Sequence, residues 1–434
     1  MLYKKDISEK YNVDVFVAGG GAAGVAAAVA AARQGKKVFL AEKMGEFGGL
    51  GTSGLVPAFA PFDDGENVLA DGIGYEIRKS VSKHVRLNEY WTTIDAEELK
   101  RAYDKIVADA GVVFSFFTTL CDVITNDGKV ESVILHAKSG FFAVKAKVYI
   151  DCTGDGDLCA MAGADFEKGD EVGCVMPTTL CSTWAYIDYK KAKSEKAAPN
   201  AYIEQAYMDG VLSRADRHLP GFFLNENGVG CGNIGHIFDV DPLDEMSLTE
   251  SMLRGRTLLL EYEQYYKKYH QGYENMQLIA TASILGVRES RRIICDYMLS
   301  GDDFKKRAVF DDEIGRYCYP VDIHPKSTDK EAYKRFEKEY LEQMRYKKGE
   351  SYGIPYRSLI PKKLLNVLVA GRCIGTDRQM QASIRVMPGC FITGQAAGVA
   401  AALAAEADAN VRNIAFDKLS KGLKGIGAYL PNAK

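Results

Sequence analysis

The chain has 434 residues, of which 47% are hydrophobic and 26% charged, and a formal net charge of -3. This length supports two or three domains around a sizeable core, and a slightly acidic chain without a basic tract has no general affinity for nucleic acid. The ten cysteines contain no C-x-x-C pair and the six histidines are dispersed without ligand spacing, so neither a disulfide framework nor a metal site is expected.

The opening stretch MLYKKDISEKYNVDV lacks the apolar core of a signal peptide, and a cytoplasmic protein with reduced thiols is the expectation. Val13 to Glu42 carry the strongest pattern in the chain. A short apolar run meets Gly19, Gly21 and Gly24 in G-x-G-x-x-G spacing, an Ala-rich helical segment follows, and a second strand, Lys37 to Ala41, ends at Glu42. In such a strand–turn–helix the first glycine permits the tight turn, the second lets backbone approach a pyrophosphate, and the third lets helix pack on sheet. Free N–H groups at the helix start face the phosphates, and Glu42 lies where an acid accepts hydrogen bonds from a ribose. Gly230, Gly232 and Gly235 repeat the spacing, but Asn225, Glu226 and Asn227 precede them in place of a strand, so this second match reads as a loop.

Gly45 to Gly54 is too glycine-rich for a regular element and reads as a second cradle for the same ligand. With no cysteine before Cys121, dithiol redox chemistry near this loop is not expected. An amphipathic helix follows at Ala96 to Ala110, then strands at Val112 to Phe117, Leu120 to Thr125 and Val130 to Ala137, with Asn126-Asp127-Gly128-Lys129 as a hairpin turn. The strand Ala143 to Ile150 runs into Asp151-Cys152-Thr153-Gly154-Asp155-Gly156-Asp157, another place for backbone to pass a ligand. From about Asp165 the alternation of strand and helix is lost until Tyr352. This part holds a Tyr-rich packing helix, Leu248 to Tyr269, and the segment Gly286-Val287-Arg288-Glu289-Ser290-Arg291-Arg292, whose arginine forks suit an anion. The opening style returns with the strand Asn366 to Arg372. Ser383 to Gly389 then lead into a small-residue helix, Cys390 to Ala405, of about sixteen residues, too short for a membrane span.

Taken in order, the G-x-G-x-x-G turn with Glu42, the Gly48-Gly49 loop with Thr52, the Thr-Gly-Asp-Gly strand end, the Gly-Val-Arg-Glu-Ser-Arg-Arg segment and the terminal Gly-Gln-Ala-Ala-Gly helix resemble the FAD-dependent oxidoreductase family, which is itself similar to the flavoprotein subunits of fumarate reductase and succinate dehydrogenase. The resemblance implies an FAD site. In it Gly19, Gly21, Ala22, Ala23 and Gly24 hold the pyrophosphate, Glu42 with its neighbour Lys43 meets the adenosine ribose, and Leu120 meets adenine through its backbone. Gly49, Leu50, Thr52 and Ser53 follow the ribityl chain and flavin edge, Thr153 and Gly154 flank the adenosine half, and Gly371 and Arg372 sit by the ribityl phosphate. Gly389, Cys390 and Phe391 aim helix N–H groups at the flavin pyrimidine, where donors stabilise the negative charge of reduced flavin. The cap would supply the substrate site, with Asn233 to His236, Arg288, Arg291 and Arg385 as candidates, and with His236, Arg288 and Arg385 foremost for moving the proton or polarising the substrate. Two departures matter: the nearest histidine after the Gly-rich loop is His84, so FAD is expected to be non-covalent, and the dicarboxylate pattern of fumarate reductases is not matched.

The expected fold is α/β, a Rossmann-like FAD-binding domain of the glutathione-reductase type from residues 1–164 and 353–434, with an inserted α+β substrate or cap domain at 165–352. The expected function is hydride transfer between a small, anionic organic substrate and flavin N5, with an electron donor or acceptor and an oligomeric state that the motifs do not specify. Two other readings stay open: a flavin-binding electron carrier without its own turnover, and an NAD-dependent dehydrogenase, against which the terminal helix returning to the nucleotide site argues.

Overall fold

In the computed structural model, which describes residues 4–82, 87 and 89–433, the first unit is β1 (Glu9–Ala18), α1 (Ala22–Arg33) and β2 (Val38–Ala41). His84 lies outside the described residues. Helix α2 (Ala96–Asp109) starts at Asp95, whose carboxylate accepts from the N–H groups of Glu97 and Glu98 and so satisfies two donors that a helix leaves free. Then come β3 (Val113–Ser115), β4 (Thr119–Asn126), β5 (Lys129–Ala137) and β6 (Gly140–Asp151). Asp127 (φ 46°) and Gly128 (φ 77°) both adopt the left-handed backbone that a two-residue hairpin turn demands. The middle of the chain gives β7 (Ser182–Ala185), β8 (Gly221–Leu224), β9 (Gly230–Asn233), α3 (Glu245–Tyr269) and β10 (Gln277–Thr281). The chain returns through β11 (Val367–Val369) and α4 (Met387–Glu406).

The main sheet runs β3-β2-β1-β6 with every pair parallel, and it forks at β6. The first half of β6 pairs antiparallel with β5 (Val133 opposite Val144), which continues to β4; the second half pairs parallel with β11 (Val367 opposite Tyr149). Asn366 pins the fork. Its buried side chain accepts from the Val130 N–H at 2.9 Å and donates to the carbonyls of Val130 at 2.9 Å and Lys147 at 3.0 Å, so the backbone groups where two strands diverge stay paired. Val15 to Ala18, Val38 to Ala41 and Val148 to Asp151 are buried on both faces, as a parallel sheet covered by helices requires.

Helix α4 is 20 residues long, more than the sequence pattern indicated, because Met387 and Pro388 form its first turn. A proline is accommodated there since its missing N–H would have no intrahelical partner. By length and composition this helix would cross a bilayer, yet 94% of its most apolar window is buried inside the protein. It lies on α1: a Cβ at Gly394 would meet the Ala23 carbonyl at 2.2 Å, and one at Gly398 the Ala27 carbonyl at 2.2 Å. The two four-residue spacings put these pairs on facing stripes, and small residues let the backbones touch.

Hydrophobic side chains form two clusters. One surrounds the main sheet and also takes in Ile293, Cys295, Leu299, Phe304, Ile314, Tyr317 and Tyr352. The other runs from Leu180 to Val287 and buries Trp184, Tyr262, Tyr265 and Tyr266, so the Tyr-rich helix α3 is a core element. Its four-stranded antiparallel sheet has the order β8-β9-β7-β10. Here the expected loop at Gly230 proves to be strand β9. The glycines make room for neighbours on the sheet: a Cβ at Gly230 would strike Leu224 at 2.3 Å and one at Gly232 would meet Phe222 at 3.0 Å. Asn225 to Gly228 form the hairpin turn, with the Asn225 amide oxygen accepting from the N–H groups of Asn227 at 3.0 Å and Val229 at 3.1 Å.

Candidate functional site

Strands β1, β2, β6 and β11 end on the same edge, at Ala18, Ala41, Asp151 and Val369, and the crevice beyond the carboxyl ends of parallel strands is where α/β sheets hold ligands. The turn after β1 is shaped by contact. Gly19 has φ 88° and a Cβ there would lie 2.7 Å from the Cys152 carbonyl; at Gly24 a Cβ would fall 1.8 Å from the Gly19 carbonyl. Gly21 differs from both. Nothing lies within 4 Å of its missing Cβ, so this backbone faces open space, as a pyrophosphate cradle requires. The Gly-rich loop closes on the same turn: the Gly48 N–H donates to the Gly20 carbonyl at 2.8 Å, and a Cβ on Gly49 would come 3.4 Å from the Gly21 Cα. Gly49, Leu50 and Gly51 make a single 3-10 turn, and a Cβ on Gly51 would meet the Met387 sulfur at 2.7 Å, so the loop reaches the start of α4.

Glu42 is buried, its carboxylate accepting from the Gly20 N–H at 2.6 Å and the Met44 N–H at 2.7 Å. The Glu42 carbonyl accepts from Thr118 N–H, which brings the strand bearing Leu120 alongside. The hydroxyl of Thr52 donates to the Phe47 carbonyl at 2.6 Å and that of Ser53 to Glu46 at 2.6 Å, so both side chains brace the loop. At the end of β6, Thr153 donates from N–H and hydroxyl to Asp151 at 3.0 and 2.8 Å. Asp155 accepts from Arg372 at 2.7 Å and from the Ser290 hydroxyl at 2.6 Å. Burial works against the charged carboxylate, but the Arg372 guanidinium and the Ser290 hydroxyl hold Asp155 below the ordinary value. Lys43 is exposed and acts on Asp155 from a distance. Gly371 caps β11, its N–H donating to the Thr393 hydroxyl at 3.0 Å, and Arg372 shields Gly154.

Arg291, expected among the substrate contacts, stands here instead. It donates to the Asp155 carbonyl at 3.0 Å and the Asp157 carboxylate at 2.8 Å and lies over the Phe166 ring. The reason is local. Arg291 begins a short strand, Arg291–Ile293, paired with Phe166–Lys168, and its side chain is held by the Asp155–Asp157 turn. Arg292 is likewise structural, paired with Glu289 and Glu167.

The start of α4 has no side-chain cap, and its first internal hydrogen bond runs from Cys390 N–H to the Val386 carbonyl at 3.0 Å. The N–H groups of Met387 and Gly389 stay free for an anion, an arrangement that stabilises negative charge by roughly 0.3–1 kcal/mol at the surface and about 2 kcal/mol when shielded. Cys390 is a buried thiol pushed up to about 12 by burial, and the Phe391 ring turns into the core against Phe59 and Phe62; both face the crevice by backbone only.

The segment expected to form the cap contacts the Gly-rich loop at this edge. The Ser283 N–H donates to the Ser53 carbonyl at 2.8 Å, tying cap to loop. Arg288 donates to the Pro177 carbonyl at 2.8 Å and the Thr179 hydroxyl at 3.0 Å; burial and the neighbouring Arg385 cation lower its pKa to about 10. Arg385, just before α4, donates to the carbonyl and carboxylate of Asp322, each at 3.1 Å, and its Nε is buried with no hydrogen-bond partner among the described residues. Asn233 ends β9 opposite Gly221. His236 is buried deeper in the cap, with Nδ1 3.3 Å from Asp216 and Nε2 2.8 Å from His324 Nδ1. His324 Nε2 in turn lies 3.3 Å from Asp322. A continuous chain, Asp216–His236–His324–Asp322–Arg385, thus runs to the start of α4. Its members Asp216, Asp322 and His324, with the adjacent His218, were not singled out from the sequence. The signal was there as two Asp-x-His pairs, Asp216/His218 and Asp322/His324, about a hundred positions apart. His236 opposes burial and holds Asp216 down to about 2; burial and His236 lower His218 to about 3; burial and Arg288 keep His324 well below the ordinary histidine value.

No curated protein matches the chain. Among solved structures, a geranylgeranyl bacteriochlorophyll reductase-like protein from Thermoplasma acidophilum is 14% identical over 96% of this chain and 83% of that one, with a TM-score of 0.48. A flavin-dependent brominase triple mutant is 11% identical over 95% and 84%, with a TM-score of 0.45, and L-proline dehydrogenase from P. horikoshii 14% over 66% and 83%, with a TM-score of 0.37. These likenesses assign no residue a role. The family described as FAD dependent oxidoreductase matches residues 14–423, from β1 to beyond α4. The backbone cradle at Gly21, Gly49 and the start of α4 suits the cofactor of that family, and the chain belongs to the FAD dependent oxidoreductases, enzymes that work through FAD.

Proposed function

We propose that this enzyme oxidises or reduces a small organic anion, which binds between the cap and the start of α4. The observation that carries the proposal is the placement of Arg288 and Arg385 on the cap side of the crevice, near enough for each to act on the other electrostatically, with the Arg385 Nε buried and without a hydrogen-bond partner among the described residues. An unpaired buried donor costs about 1–3 kcal/mol, and two neighbouring guanidinium groups repel; a carboxylate or similar anion between them offsets both. When bound, FAD supplies the hydride-accepting or hydride-donating centre. The chain's own part is to cradle the dinucleotide with backbone N–H groups and to hold the anion with arginine. The cofactor is held without a covalent link, a reading supported by the absence of histidine from Gly45 to Gly54. The order of the motifs supports a finer likeness to fumarate reductase flavoproteins, although their dicarboxylate pattern is not matched.

The test is anaerobic reduction of the purified flavoprotein by a panel of organic acids and uncharged analogues, followed by flavin bleaching. Acids, and not their amides or esters, should bleach the flavin. Arg288→Lys and Arg385→Lys should raise KM about 10–100-fold, the loss of one to two charge-assisted hydrogen bonds, while FAD content is unchanged. Equal rates for acids and amides, or unaltered KM in both variants, would defeat the anionic-substrate reading.

A further inference from the structure

We propose that His218, His236 and His324 form a binding site for a divalent first-row transition metal ion. Candidate ligand nitrogens on the three rings lie within 4.8 Å of one another, although 18 residues separate His218 from His236 and 88 separate His236 from His324 in the chain. A metal bound at about 2.0–2.1 Å by each imidazole sets its ligand nitrogens about 3.3 Å apart in a tetrahedral site, so modest side-chain rotation closes the set.

The hydrogen bonding around the rings points the same way. His236 Nδ1 faces Asp216 at 3.3 Å and His324 Nε2 faces Asp322 at 3.3 Å. A ring nitrogen that faces a carboxylate carries the proton, which leaves His236 Nε2 and His324 Nδ1 as lone-pair acceptors. These two acceptors point at each other across 2.8 Å. Two facing lone pairs repel unless a cation is shared between them. The carboxylate–histidine arrangement, repeated on both rings, is the outer-shell pattern that orients imidazoles toward a metal and raises their basicity. Asp216 is itself fixed, accepting from the backbone N–H of His236 at 2.9 Å and of His218 at 3.2 Å. The third ring, His218, stacks on His236 at 8° and meets His324 edge-on at 4.3 Å. Its ring nitrogens make no hydrogen bond among the described residues.

Space and access fit as well. A cavity of about 10 Å³, roughly the room of one water molecule, lies against two of the three rings, His218 and His236, and against Asp216, Ser327, Thr328 and Tyr333. Through Arg217 and Tyr333 it borders a surface cleft of about 300 Å³, an entrance for a hydrated ion. Three imidazoles favour zinc, cobalt, nickel or copper over magnesium and calcium, which prefer oxygen, and Asp216 and Asp322 balance the charge. Among the described residues no other group of histidine, cysteine and carboxylate side chains converges in this way.

The experiment uses the full-length FAD-loaded protein, treated with chelator, dialysed, titrated with zinc chloride, and read by elemental analysis and calorimetry. One zinc ion per chain is expected, with an X-ray absorption spectrum dominated by nitrogen ligands. His218→Ala and His324→Ala should lose the ion at unchanged FAD content, Asp216→Asn should weaken binding about 10–100-fold, and His136→Ala on the β4–β5 hairpin should keep full stoichiometry. Should His324→Ala fail to fold, His218→Ala, at the less buried edge of the cluster, decides alone. A wild-type protein that takes up no zinc, which would mean the facing nitrogens share only a proton, overturns the proposal. So does a His218→Ala variant that binds zinc as the wild type does, which would assign the ion to other groups such as the exposed thiols Cys121 and Cys174.

Discussion

The nucleotide crevice and the cap cluster, which meet at the start of α4, are built in opposite ways. In the crevice, backbone and missing side chains do the binding: Gly19, Gly21 and Gly24, the 3-10 turn at Gly49 and the free N–H groups of α4. In the cap, charged and aromatic side chains converge, and their partners are mostly remote in the chain. The pyrophosphate is common to every dinucleotide, and a fixed arrangement of N–H donors at a helix start suffices to hold it. A substrate differs from enzyme to enzyme, and its recognition needs side chains that substitution can vary.

That contrast is breakable, and the sharpest test separates two glycines three positions apart. Gly24→Ala would push a methyl group onto the Gly19 carbonyl, 1.8 Å away, and we expect about 3 kcal/mol of destabilisation, the upper range for overpacking, with loss of FAD. Gly21→Val, where nothing is within 4 Å of the Cβ and φ is -67°, should leave the urea midpoint of the apoprotein unchanged while FAD binding weakens. If both variants lose stability equally, the open cradle at Gly21 is misread.

Next in size is the ion pair that locks β11 to the end of β6. Arg372→Ala strands Asp155, whose only other side-chain hydrogen-bond partner among the described residues is Ser290, and we expect about 2 kcal/mol of lost stability near neutral pH, less than for a fully buried pair because both groups keep some contact with water. The sign with pH follows from Asp155 being held below its ordinary value. The pair's contribution is present above the unfolded carboxylate pKa of about 3.9 and disappears as pH falls through the folded value. Wild-type and variant stabilities should therefore converge on acidification; a gap that stays constant down to the acid limb would assign the loss to packing.

The smallest effect contrasts exposed thiols with those buried around the crevice. Cys121 and Cys174 are exposed, whereas Cys152, Cys159, Cys373 and Cys390 are buried, Cys390 being pushed up to about 12. Because the thiolate is the reactive form, iodoacetamide near neutral pH should label the first two and spare the other four, read by peptide mass spectrometry. Labelling of Cys390 in the folded protein would mean that the start of α4 opens.

The crevice was legible in the sequence because its residues are consecutive or sit at strand ends. Gly19 to Gly24 lie in one turn, and Thr153 and Gly371 each follow a strand whose apolar run announces it. The Gly230 segment was misjudged for a related reason: glycine in a strand leaves no apolar pattern, and its role, making room for Leu224 and Phe222, exists only once neighbours are in place. The segment around Arg288 shows the middle case. Its arginines were visible as an anion-binding set, but the strand that starts at Arg291 sends that side chain to Asp155 and Asp157, away from Arg288. Alternating side-chain direction along irregular backbone cannot be read from spacing alone.

By itself the sequence determined the α/β class and a dinucleotide cradle at Gly19 to Gly24, since both rest on local periodicity and on glycines whose contacts lie within a few residues; that the dinucleotide is FAD and that α4 returns to it came from the order of the motifs and their resemblance to a family. Only the tertiary structure decided what stands behind Arg385. The cluster His218, His236 and His324 arises where the core from Leu180 to Val287, which holds the turn before β8 and the end of β9, meets the main-sheet core, which takes in Tyr319 and Val321 beside His324, and no local propensity encodes a meeting of side chains about a hundred residues apart in sequence.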